Sequence, residues 1–382
     1  MPPALTPDPQ RRQLLLASLA LAACGGGGSD ATPAPSPSPP GFRDRWTRVA
    51  MPFGVSLHAS VVTGDGAVLV IGGSRAEGIL SSAIDRFDPA TQAVTRIGQM
   101  ASGRSDHHAL RLPDGRVLVL GGLQSANVRS FTELIDPATG AARHAGDHAQ
   151  PRGRHASSLL ADGRVLVTGG LSRDSAEIWD PATERWRLLD RRMAHDRQHH
   201  TQTLLADGRV LIVGGASDGA GPNYQSAEVF NPQTESFAPL AQLRDATIPR
   251  RHFHSAHRLA DGTVLIVGGS FQGQDLLPQA SVLRIDATLG GLLPAPDLMV
   301  PRTLVKSVLL SGDRVLMAGG QTGEAFASDH AALYEPARQR TTAALPGARA
   351  WHSINALPDG RIIVVGGEEA DGTLQHDICI YD

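Results

Sequence analysis

Aromatic residues make up only 4% of the 382-residue chain, and cysteine occurs twice, as Cys24 and Cys379. A single cysteine in the body excludes an internal disulfide and a cysteine-built zinc site. An excess of one charge is also lacking: a net charge of −3 provides no long-range field for nucleic acid or an acidic membrane surface. No nucleic-acid partner is therefore expected. Inside the body no apolar run reaches the length of a membrane-spanning helix. Glycine (42) and proline (26) are plentiful, which favours many short strands joined by tight turns over long helices. With 41% hydrophobic residues to build a core, the body is predicted to be all-β.

The first 24 residues have a different character. Arg11 and Arg12 precede an apolar run from Leu14 to Ala23 that ends in small residues and Cys24, the pattern of a signal peptide. Leu21-Ala22-Ala23-Cys24 resembles the lipobox of bacterial lipoproteins. That resemblance implies lipidation of Cys24 and a protein exported and anchored to the cell envelope; Gly25, which is not acidic, implies the outer membrane. Ordinary cleavage near Ala23, giving a soluble product, is the alternative. Residues 25–41 are rich in glycine, then in proline and serine, and form a spacer that cannot bury a core. The expected organisation is a signal peptide over 1–24, a linker over 25–41 and a folded body over 42–382.

Self-similarity decides the fold of that body. A double glycine follows a short apolar run at Gly72-Gly73, Gly121-Gly122, Gly169-Gly170, Gly214-Gly215, Gly268-Gly269, Gly319-Gly320 and Gly366-Gly367. The runs are apolar without alternation, as expected of strands covered on both faces. Asp-Gly turns precede most of them, for example Asp114-Gly115 and Asp162-Gly163, and acidic-Pro or Asn-Pro turns such as Asp88-Pro89 and Asn231-Pro232 follow. A fourth segment with an aromatic or apolar residue, such as Trp186 or Phe237, completes a unit of four antiparallel strands. Double glycine, acidic-Pro turn and later Trp resemble kelch repeats, and this resemblance implies a β-propeller. Most copies lack the Trp. The seventh unit stops at Tyr381-Asp382 without a fourth strand, and Trp46–Met51 stands where one is needed, so a seven-bladed propeller closed by its N-terminal strand is expected.

Histidine recurs seven residues before the turn Asp (His58, His107, His155, His200, His254, His352, with Val305 in unit six), and arginine three residues earlier (Arg104, Arg152, Arg197, Arg251, Arg302, Arg349, with Val55 in unit one). A residue placed once per blade serves what every blade needs, so both series are read as scaffold. Irregular residues are better candidates for a site. Units four and five carry the longest loops, and Tyr224, Arg250, His252, Phe271 and Asp275 are the expected ligand contacts, an aromatic and charged set suited to a glycan or an acidic peptide. His195, His199 and His200 with Asp196 look metal-like but lack a recognised spacing, and Asp106, His107 and His108 call for the same caution; no metal and no cofactor is assigned. The expected function is non-catalytic binding of a protein or glycan by one loop face of a monomer, and a carbohydrate-active enzyme is the alternative. Exported propellers also include copper radical oxidases, which resemble a set of two Tyr, two His and a Cys cross-linked to one Tyr; with Cys379 and Tyr381 on one strand this reading has little support.

Overall fold

The computed structural model of the chain describes residues 43–382, except 125–126, 172, 218–225, 244–249, 272–276, 324–325 and 336–337. Seven four-stranded antiparallel sheets form the blades. They are numbered here by their innermost strands: Ala59–Val62, His108–Arg111, Ala156–Leu159, Thr201–Leu204, Ser255–Arg258, Lys306–Leu310 and Ser353–Ala356. Each innermost strand touches the next around the molecule, and that of blade 7 touches that of blade 1, so the strands surround a closed central channel.

The second strands explain the apolar runs. Val68–Ile71, Val117–Leu120, Val165–Thr168, Val210–Val213, Val264–Val267 and Ile362–Val365 are buried along their whole length, because a neighbouring blade covers each face. The core is accordingly not one cluster but seven, each shared by two adjacent blades. Val68, Val70 and Phe87 of blade 1, for example, meet Ile363, Val365 and Ile378 of blade 7.

Blade 7 is completed as expected. Trp46–Ala50 pairs antiparallel with Asp377–Tyr381, in a register that runs from Trp46 opposite Tyr381 to Ala50 opposite Asp377. Trp46 Nε1 donates to the Ala343 carbonyl at 2.8 Å, and the Tyr381 hydroxyl donates to Asp44 Oδ1 at 2.6 Å, so the closing strand is fixed to blade 6 as well as to blade 7. Among the described residues the only helical pieces are two single 3-10 turns, and no helix is long and apolar enough to cross a membrane.

Candidate functional site at the channel mouth

The recurring glycines, arginines and histidines form one device repeated around the ring. The second glycine of each pair donates its N–H to the carbonyl at the arginine position of the next blade: Gly73 to Arg104 (2.9 Å), Gly122 to Arg152 (2.8 Å), Gly170 to Arg197 (2.8 Å), Gly215 to Arg251 (2.9 Å), and so on to Gly367, which donates to Val55 (2.8 Å) and closes the circle. The first glycine lies in the left-handed region and so close to that loop that no side chain fits. A Cβ at Gly169 would stand 2.3 Å from the Arg197 carbonyl and 2.8 Å from the His200 ring. The arginines are fully buried and turn back into their own blade. Arg152 reaches the Gly169 carbonyl at 2.8 Å and Glu177 at 2.9 Å, and Arg349 reaches Gly366 at 3.1 Å and Asp377 at 2.8 Å. Blade 1 has Val55 instead, and Arg75 supplies the cation to Asp85 from the other side at 2.8 Å. Burial lowers the pKa of the ring histidines well below the usual value, to about 3 for His58, so they are neutral.

The residue before each of these histidines, or before Val305, has a positive φ: Leu57 (53°), Asp106 (50°), Arg154 (58°), His199 (54°), Phe253 (55°), Leu304 (53°) and Trp351 (55°). Their backbones form a chain of hydrogen bonds around the mouth. The N–H of Asp106 donates to Leu57, that of His199 to Arg154 and that of Phe253 to His199, while Leu57 donates to Trp351. A left-handed conformation costs a non-glycine residue roughly 1–2 kcal/mol. At the double glycines the chain uses glycine for this conformation; at the mouth it retains six different and mostly large side chains at the seven positions. The backbone repeats and the side chains do not.

Six of these side chains, all but that of Leu304, surround a cavity of about 410 Å³ at the mouth of the channel. One wall is aromatic: the Trp351 and Phe253 rings meet edge to face at 5.5 Å, and His199 lies against Phe253 at 3.9 Å. The other is charged: Asp106 faces Arg154 at 3.7 Å, and burial raises the carboxyl's pKa against the influence of Arg154 and Lys306. Below them, paired side chains bridge neighbouring blades, His58 with Ser353 and His108 with Ser157, both at 2.8 Å. Lys306, the first residue of the innermost strand of blade 6, is the only lysine in the whole chain. It is open to solvent inside the channel yet surrounded by protein. Burial lowers its pKa, Asp106 opposes this, and its charge acts on His58, His108, His199 and His352.

Of the contacts expected from sequence, Tyr224 and Asp275 lie outside the described residues, as do Cys24 and the side chain of Phe271. The backbone of Phe271 pairs with Leu277 in a two-residue ladder. Arg250 is half-buried in the loop entering blade 5. His252 is 8% exposed, its Nε2 is 3.1 Å from Ser270 Oγ, and its ring backs onto Phe253 of the cavity wall at 4.6 Å. The structure thus puts His252 behind the mouth and not in it. His199 and His200, singled out as metal-like, both line the cavity; His199 lies against Phe253, and His200 Nε2 is 2.8 Å from Thr168 Oγ1. No group of three or more His, Cys, Asp or Glu among the described residues is arranged to hold a metal ion. Leu57, Arg154, Phe253, Lys306 and Trp351 went unnoticed in the sequence. Their signal is there: the one variable position beside an invariantly placed histidine, and a solitary lysine.

A family model for the Kelch motif matches residues 57–101, which span blade 1 and the approach to blade 2. A solved fungal alcohol oxidase of the AA5 family, in complex with copper, is similar with a TM-score of 0.71 at 16% identity, over 88% of this chain and 76% of that one. A search of curated proteins finds no match. The chain is a seven-bladed β-propeller whose first blade matches the Kelch motif. That likeness is one of fold. Among the described residues none fits a copper-radical centre: Tyr334 and Tyr381 are 1% exposed and packed between blades 5 and 6 and between blades 6 and 7, and Cys379 is buried beside Tyr381.

Proposed function

We propose that this protein binds a small hydroxylated ligand carrying an anionic or carbonyl oxygen, of the sugar-acid class, in the channel mouth, and that it does so outside the cytoplasm on a lipid anchor at Cys24. The observation that carries the binding reading is the break in symmetry at the mouth: seven strained, equivalent backbone positions hold seven side chains chosen for something other than the backbone. Trp351 and Phe253 offer rings for the apolar face of a sugar, and Arg154 and Lys306 offer donors to an anionic oxygen. The neutral histidines and the serines below supply further hydrogen bonds without adding charge. A volume of about 410 Å³ suits a single small molecule and not a protein loop of any length. The anchor rests on Leu21-Ala22-Ala23-Cys24 and the spacer that follows.

The test is calorimetric titration of the purified protein with glucuronate and, for comparison, glucose. Glucuronate should bind saturably, and Trp351→Ala and Arg154→Ala should each weaken binding by about 1 kcal/mol or more while leaving the melting temperature unchanged. If neither sugar binds, or if both variants bind like wild type, the mouth is not the site. For the anchor, Cys24→Ala should release the protein from the membrane fraction; equal release of wild type would refute lipidation.

A further inference from the structure

We propose that Lys306 forms a Schiff base with the carbonyl carbon of a ligand held in the channel mouth, which makes the ligand an aldehyde or an α-oxo acid. This rests on the binding reading above and narrows it. The chain has 35 basic residues other than histidine, and 34 of them are arginine. Arginine would serve any need for a fixed cation, and it does so at every buried ion pair of the ring. What lysine can do and arginine cannot is lose its proton and present a nucleophilic lone pair. The one lysine is also the one placed inside the cavity, where Arg154 already supplies a permanent positive charge.

The surroundings favour the free amine. Protein surrounds Lys306 in the channel, which lowers its pKa, and the four histidines its charge acts on are themselves neutral. Asp106 is the one carboxylate near enough to oppose this, and it already faces Arg154. In the reaction the Nζ lone pair adds to the carbonyl carbon and the carbonyl π pair moves to oxygen. That oxygen takes up the proton the nitrogen gives up. A second proton, from Asp106 or water, lets it leave as water while the remaining nitrogen lone pair closes the C=N bond as an iminium, whose N–H proton then returns to Asp106 or water. Amine and carbonyl become imine and water, with no change of oxidation state. Arg154 lines the same cavity as a permanent cation, so an α-oxo acid would engage both residues with one small molecule, its carboxylate at the guanidinium and its carbonyl at the amine.

A single lysine makes the test unambiguous. The full-length protein is incubated with glyoxylate and sodium cyanoborohydride near neutral pH, and the adduct is located by peptide mass spectrometry. Lys306 should carry the reduced adduct, the yield should saturate with glyoxylate, and labelling should be about tenfold or more faster in the folded protein than at the same residue in urea. Lys306→Arg keeps the charge and should keep the melting temperature while abolishing the body adduct; Lys306→Met serves if the arginine does not fit. Calorimetry with glucuronate on the same samples separates the two readings. Saturable glucuronate binding with Lys306 labelled no faster than in urea would overturn the Schiff base and leave the binding site standing. Absence of both would remove both.

Discussion

Arg197 and Arg302 occupy the same position in blades 4 and 6, and both are buried, at 0% and 2% exposure, but they are not held alike. Arg197 meets the Gly214 carbonyl at 2.7 Å and is ion-paired with Glu228, which also accepts the N–H of Ala194 at 2.9 Å. The bonds Arg302 makes are to the carbonyls of His330 and Val300, at 3.3 and 3.5 Å. Removing Arg197 leaves a buried carboxylate without its cation, so Arg197→Met should cost about 3–5 kcal/mol. Arg302→Met strands only carbonyls and should cost about 1–3 kcal/mol. Chemical denaturation of both variants checks the order, and equal losses would show that the carboxylate is not what the arginine serves. The scaffold role of this series was legible from its regularity alone. The candidate cavity was not, because a sequence shows which residues vary but not which variable residues converge. Arg154, Phe253 and Trp351 are separated by about a hundred residues from one to the next, and only closure of the ring brings them to one cavity. The contacts expected from sequence lie instead on the long loops of units four and five, where Tyr224 and Asp275 are outside the described residues.

At the scale of the blade, the double glycine shows how one local motif links neighbouring units. Gly169 lies in the left-handed region (φ 62°) with the Arg197 carbonyl where a Cβ would go, whereas Gly163, in the turn before the same strand, has φ 85° and open space around it. Gly163→Ala should therefore cost only conformational strain, about 1 kcal/mol, but Gly169→Ala must also push back the loop of blade 4 and should cost several times as much. Comparison of the two melting temperatures isolates the inter-blade contact, since strain is common to both. The closing strand is the corresponding device for the whole ring. Without Trp46–Ala50, the edge of Asp377–Tyr381 is left unpaired and Val49 and Met51 are lost from the cluster between blades 7 and 1. Deletion of Trp46–Met51 should lower stability by several kcal/mol, at roughly 1.5–3 kcal/mol for each large buried side chain, and promote aggregation through the open edge. Unchanged melting would contradict closure by this strand. These elements were readable in advance because they repeat: seven double glycines fixed the blade count, and the missing fourth strand after Tyr381 pointed to the N-terminal segment.

Across the whole molecule, the response to acid follows from the histidines. Eleven of them, His58, His107, His108, His148, His155, His199, His200, His252, His254, His257 and His352, have pKa values lowered by burial, to about 3 at His58 and about 4 at His108, His252 and His257. In the unfolded chain each titrates near 6.5. The unfolded state therefore binds more protons than the folded state at every pH between these limits, and stability must fall as pH falls through that window. Above about pH 6.5 both states are neutral at these sites and the contribution is constant. The surface carboxylates act later. Asp65 and Glu184 are held at about 2 by hydrogen bonds from Thr63 and Arg86 and from Arg143 and Arg116, so their contribution is lost only below their ordinary range near 4. Two phases are expected: a steep loss of melting temperature from about pH 6.5 to 4.5, due to histidine, and a further loss at lower pH, due to carboxylates. Melting curves recorded across this range decide the matter. His155→Asn should make the first phase shallower even if it lowers stability at pH 8, and a profile flat down to pH 4.5 would mean that these imidazoles take up protons as readily in the folded protein as in the unfolded chain.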